Sequence, residues 1–358
     1  MFYKELKRLI FNIPVAAVIL SALCISLILS YVMAHNITKD NENADKYYKE
    51  YISNLDGSMT KEKKSYIFNE RQMIHDTVEK EQEMQASYDS GEISSDEYQN
   101  YLDDDFYAIE HYSAIERVKE QCESILTAKK RTGVQAVFVY DTYWNGYFDM
   151  NMITLLQMLI VMIIVIRFLS EDYISGIWLM TSSYRNGRTK MLNVKMGAVV
   201  LLCIGVSLIF STAHFLLFYT GYDMPDINAP VQSLAIFKVF PIHFSIGSMV
   251  MFTVLWRAIA LSVFGLMVFA ITSFMKNLTL SFGVCGLITI LPMLFGVTLK
   301  AARDISVYEY VLGVGIIKRS TAFLQMLEIF CVFTVAILGV YAINIFLQSD
   351  FRRKIKVQ

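Results

Sequence analysis

Charge is scarce in this chain, cysteine is scattered, and the usual catalytic signatures are missing. Lys, Arg, Asp and Glu make up 18% of the 358 residues, and hydrophobic residues make up 55%. Soluble globular chains carry about a quarter charged residues. That balance excludes a simple soluble enzyme, a basic nucleic-acid binder and a disordered tail. The five cysteines (Cys24, Cys122, Cys203, Cys285, Cys331) stand singly, and only Cys122 falls in polar sequence. No disulfide can therefore form within the polar block, and without a CxxC or Cys/His cluster no structural zinc site is expected. No GxxxxGK[ST] loop, HExxH or GxSxG occurs, so neither ATP binding nor hydrolytic chemistry is expected of this chain. The five histidines are isolated, and Asp103, Asp104 and Asp105 are consecutive, so on a helix they diverge. We expect no catalytic residue, no metal and no cofactor in this chain, and no nucleic-acid partner.

What is present is apolar sequence wrapped around one acidic block. Residues 34–147 hold 13 Lys/Arg against 23 Asp/Glu, a net of −10, while the remainder nets +9. A spanning helix needs roughly 20 apolar residues. The uncharged runs predict six spans, near 13–33, 149–168, 196–219, 256–275, 278–298 and 326–348. The fourth is read as one span because no Gly, Pro or Asn offers a hairpin around Arg257, with a surface or re-entrant segment opening at Pro241 before it. With both ends inside, thirteen Lys/Arg fall on inner segments against six on outer ones, which favours cytoplasmic termini. Val32-Met33-Ala34 could suit a signal peptidase, yet the apolar run before it defines no short core, so an uncleaved first span is expected. The fold class expected is an all-α integral membrane protein with six transmembrane helices and an extracytoplasmic helical hairpin or bundle. Its domains are an inner-leaflet helix and first span over 1–33, the extracytoplasmic domain over 34–148, and a five-span domain over 149–358.

Within the polar block, Ser94 and Glu97 form a capping box, with Asp96 in the first turn. Ala108, His111, Ile115, Val118, Cys122 and Ile125 then recur at spacings of 3 and 4, an a/d seam that puts His111 in a core. A partner helix over 60–88 presents Ile67, Ile74 and Val78, and Asp56-Gly57-Ser58 breaks the helix before it. Val137–Tyr140 reads as extended, and Tyr140, Tyr143, Trp144, Tyr147 and Phe148 as an aromatic belt at the membrane surface. The block serves either as a solvated spacer or as a substrate-handling domain. At the start, Phe2, Leu6 and Ile10 alternate with Lys4, Lys7 and Arg8, which suits a helix lying along the inner leaflet.

Two sets of charges near the spans invite function. Asp149, Arg257 and Glu328 fall at comparable depth, and can be read as an outer gate with an Arg257–Glu328 pair or as interfacial anchors. The loop after span two is the more informative. Ser170 can cap a cytoplasmic helix over about 170–183 whose first turn carries Glu171 and Asp172, with Ile174, Ile177, Trp178 and Thr181 on one face. Asn186-Gly187 then turns the chain, and Arg188, Lys190 and Lys195 anchor the next span.

Phe168, Glu171, Gly176, the 179–183 run, Arg188 and Lys195, set between spans two and three of six, resemble ABC transporter permeases of the type-2 membrane family. About 30 residues carry the match, with the six-span layout behind it. The resemblance implies that 170–183 is a coupling helix docking on a separate cytosolic ABC ATPase subunit, with Glu171, Asp172, Gly176, Trp178 and Arg188 transmitting motion. It further implies ATP-Mg on that partner, a second permease copy as homodimer or heterodimer, and a bacterial plasma membrane. The long outer block is similar to Gram-positive permeases of antimicrobial-peptide export or resistance, which implies export of a peptide or other amphiphile. The alternatives are a structural component of a secretion machine or a phage-receptor-like protein without an ATPase, and a sensor. The sensor reading lacks a cytoplasmic output module, since the longest inner segment has under 30 residues.

Overall fold

A computed structural model describes residues 2–10, 13–39, 42–149, 151–177, 187–298 and 311–313. The fold is all-α apart from one two-residue strand pair. The helices are α1 (Phe2–Ile10), α2 (Ile13–Lys39), α3 (Glu42–Asn54), α4 (Lys61–Asp89), α5 (Ser95–Thr132), α6 (Thr142–Phe148), α7 (Asn151–Ile174), α8 (Gly187–Gly221), α9 (Ile246–Met275) and α10 (Leu278–Thr298). Strands β1 (Gly57–Ser58) and β2 (Val137–Phe138) pair antiparallel, Gly57 opposite Phe138. Among the described residues, four stretches are long and apolar enough to cross a membrane: Ile13–Ile37, Thr142–Ile174 (α6 with α7), Met191–Gly221 and Ile246–Met275. Helix α10 coincides with the fifth expected span. The sixth lies outside the described residues, as does 299–322 apart from 311–313.

The chain divides into two compact units. Unit one gathers the described residues of 1–31, 149–217 and 250–358. Its core is a continuous apolar cluster from α7, α8 and α9, including Met158, Val161, Val165, Val199, Cys203, Val206, Phe264 and Phe269. At Gly265 an added Cβ would stand 2.5 Å from Cys203 Sγ and 3.2 Å from Val199 Cγ1, so glycine is what lets these helices close.

Unit two comprises 32–148 and 218–249. Helices α3, α4 and α5 build its core, and every residue of the expected seam, from Ala108 through Ile125, is buried there with Ile67 and Ile74. The capping box at Ser94 forms as its sequence predicts, lowering the Glu97 pKa through hydrogen bonds from Ser94. The segment after α8 also belongs to this unit. Ser233 Oγ accepts from the Val137 amide at 3.0 Å, and Pro225 O accepts from Trp144 Nε1 at 2.9 Å.

Two expectations are corrected. The aromatic residues 140–148 are not a belt facing lipid headgroups: Trp144, Tyr147 and Phe148 are buried, Phe148 edge-on to Phe237 at 4.8 Å. The aromatic density that suggested a belt instead fills the unit's interior. Arg257 does not open its helix, because α9 starts at Ile246, where Ser245 Oγ accepts from the Ser248 amide. No surface segment reaches 255. No breaker lies between Gly247 and Arg257, so the helix simply continues.

Candidate functional site

Among the described residues of unit one, charges from α1, the end of α7 and the start of α8 converge. Ser170, Glu171 and Asp172 are not a first turn. Helix α7 runs through them to Ile174, the Ser175 amide bonds to Glu171 O at 2.9 Å, and Gly176 then leaves the helix at φ +70°. A coupling helix starting at Ser170 is thereby corrected. A Ser-Glu-Asp triplet reads as a start by composition, but an apolar run with no stop signal before Gly176 carries the helix past it.

Carboxylates at a helix C-terminus face the negative end of the helix dipole, a cost of about 0.3–1 kcal/mol each. Here they are compensated from two other elements. Arg8 of α1 donates through Nη2 to Asp172 Oδ1 at 2.7 Å and to Phe168 O at 3.2 Å. Lys195 of α8, wholly buried, forms an ion pair with Asp172 Oδ2 and lies 4.0 Å from Glu5 Oε2. Glu5 is also 3.8 Å from Arg8. Both cations lie over the Phe168 ring, at 4.8 and 4.9 Å from its centroid. Glu171 stays at the surface, 3.1 Å from Arg167. Arg8, Glu171, Asp172, Ile174, Ser175 and Ile177 line a cleft of about 390 Å³ beside this cluster.

Two acids and two cations at the core of the cluster balance, so it holds α1, α7 and α8 together. Of the expected coupling residues, Glu171 and Asp172 line the cleft, and Gly176 ends α7. Arg188 is placed in the first turn of α8, and Trp178 lies outside the described residues, as do 179–186. Asp149 is exposed, Arg257 is buried at 2% exposure, and Glu328 is outside the described residues. Sequence reasoning put Arg8 on a helix lying along the inner leaflet and passed over Glu5. The signal was available: Glu5 and Arg8 share a face with buried Leu9, away from exposed Lys4 and Lys7.

Unit two carries polar clusters of its own. Asp45 accepts from Tyr140, from Thr142 Oγ1 at 2.9 Å and from Arg117 Nη1 at 3.1 Å. Buried Asp141 accepts from Tyr48 at 2.8 Å and Asn145 at 2.9 Å, and burial raises its pKa. His111 is stacked on Tyr47 and Tyr107 at 3.9 and 4.0 Å, with the Tyr51 hydroxyl 3.0 Å from Nδ1. Burial lowers its pKa despite Glu50, Glu110 and Glu70 nearby. Among the described residues, His75, Asp76 and Glu79 of α4 bring ligand-type atoms within 4.8 Å of one another on a largely exposed face. No protein family, curated protein or solved structure matches the chain.

Proposed function

We propose that this chain is the membrane-spanning permease subunit of an ATP-driven ABC exporter of peptides or other amphiphiles. In this reading it works as one of a pair in a bacterial plasma membrane, with six spans and both termini cytoplasmic. Unit two is then the extracytoplasmic domain. The observation that carries the reading is the Arg8–Asp172–Lys195 cluster. It fastens the amphipathic first helix and two apolar helices at the mouth of the loop that resembles a coupling helix. A rigid joint of this kind is suited to passing a push on the 171–188 segment into α7 and α8 together. ATP-Mg and its hydrolysis belong to a cytosolic ABC ATPase subunit docked on that segment, since this chain has no phosphate-binding loop.

Affinity purification of the tagged chain from native membranes in mild detergent tests the reading. A stoichiometric Walker-type ATPase co-eluting with it is the expected result. The chain alone, or bound to secretion components, would favour a structural role instead.

A further inference from the structure

Spacings of three and four residues place chemistry-bearing side chains on one face of each helix in the unit-two bundle. Those sets are Tyr47, Glu50 and Tyr51 on α3, Tyr66 and Glu70 on α4, and Tyr107, Glu110 and His111 on α5. The three sets converge. The His111 ring stacks on Tyr47 and on Tyr107, and Tyr51 stands edge-on to it with centroids 5.6 Å apart. The Tyr51 hydroxyl lies 3.3 Å from that of Tyr107. Glu50 is close enough to act electrostatically on Tyr47, Tyr66, Tyr107 and His111. Tyr51 and His111 are buried, whereas Tyr66 and Tyr107 are 44% and 49% exposed, and Glu50 is exposed with them.

The carboxylates of this surface are bonded but not neutralised. Glu70 accepts from Tyr107 at 3.0 Å and from Tyr51 at 3.3 Å. Glu110 accepts from the Tyr47 hydroxyl and from Asn43 Nδ2 at 3.3 Å. All these donors are uncharged. Among the described residues, the basic side chains paired within unit two are committed elsewhere: Lys49 to Asp223, Arg71 and Lys119 to Glu116, and Arg117 to Asp45. Lys46 is exposed and approaches the Tyr47 ring at 5.9 Å without forming an ion pair with Glu50, Glu70 or Glu110. Three like charges gathered in one place repel one another, and tyrosine donors soften that repulsion without cancelling the charge. A cation arriving from outside cancels it, and meets the exposed rings of Tyr66 and Tyr107, whose π-faces attract cations. The net −10 of residues 34–147 draws such a cation toward the unit.

We propose that this tyrosine–glutamate surface of α3, α4 and α5 binds the guanidinium or ammonium side chains of a basic peptide. The proposal rests on the peptide-exporter reading for the peptide's role as cargo and names the charge of that cargo, but the contact itself needs no ATPase. The test is fluorescence anisotropy of labelled tetra-arginine amide titrated with the full chain in maltoside detergent, with labelled tetra-glutamate as the control peptide. Salt of about 150 mM is present, because a Debye length of about 8 Å screens the general acidic field. Saturable binding of tetra-arginine is expected, and none of tetra-glutamate. Glu50→Gln/Glu70→Gln/Glu110→Gln, which keeps acceptors for the tyrosines, should weaken it about tenfold or more. Glu83→Gln/Glu92→Gln/Glu120→Gln removes as many charges from exposed positions elsewhere in unit two and should change it by less than about twofold. Tyr66→Leu, at an exposed position, should weaken it about threefold. No saturable binding by the parent chain, equal losses in the two triple variants, or parent affinity in Tyr66→Leu would each overturn the proposal. Because the assay contains no ATPase, its failure is distinguishable from a failure to co-purify one.

Discussion

Removing Asp172 should cost more than removing Lys195, and removing both should cost less than either loss suggests. In Asp172→Leu, Lys195 stays wholly buried with Glu5, at 4.0 Å, as its only ion-pair partner among the described residues. Stripping one partner from a buried ion pair costs about 3–5 kcal/mol. In Lys195→Met, Asp172 keeps the 2.7 Å bond from Arg8, a charge-assisted contact of about 1.5–3 kcal/mol. The loss should therefore be smaller, about 1–3 kcal/mol. In Asp172→Leu with Lys195→Met, the buried charges disappear together, and Arg8 can turn toward the cleft, because its side chain is 30% exposed. That replacement should come within about 1 kcal/mol of the parent. The cycle predicts a coupling energy of at least about 2 kcal/mol. Unfolding of the purified chain by dodecyl sulfate in mixed micelles, followed by far-ultraviolet circular dichroism, would read it. Additivity within about 0.5 kcal/mol would refute the reasoning.

Three other perturbations follow from particular contacts. His111 has a depressed folded pKa because of burial, so its contribution to stability is present above the unfolded value near 6.5 and is lost as pH falls through the lower folded value. Unit two should thus lose denaturant resistance between pH 7 and pH 5, and His111→Gln should flatten that fall in chemical-denaturation midpoints of the full chain. Gly265→Ala should destabilise unit one by about 1–3 kcal/mol through overpacking, because its Cβ would meet Cys203 Sγ at 2.5 Å; Cys203→Ala should restore part of the loss in thermal melts. Ser94→Ala removes the side-chain acceptor for the Glu97 amide and should cost about 1 kcal/mol, read as faster hydrogen exchange in the first turn of α5.

How far the sequence disclosed this molecule depended on how local each signal was. The seam from Ala108 to Ile125, the box at Ser94 and the uncharged runs of α2, α7, α8 and α9 are local patterns, and all of them appear in the structure. Arg8 and Asp172 are 164 residues apart, and no periodicity links them. The Arg8 charge, one of three that alternate with apolar residues in the first helix, is held by a buried carboxylate. Ser170 misled because capping residues are recognised by what precedes them, and here a helix was already under way. The aromatic run at 140–148 is ambiguous in the same sense, since aromatic rings suit both interfaces and cores. Only the grouping of 218–249 with 32–148 shows which was chosen.

The most direct test of the account is site-specific photo-crosslinking in native membranes, with a photoreactive residue placed at Glu171 or Ile177 in the cleft. A covalent adduct to a cytosolic Walker-type ATPase is expected from both positions, and none from a control position at Tyr66 in unit two. Adducts confined to lipid or to membrane proteins, with no ATPase from either cleft position, would contradict it.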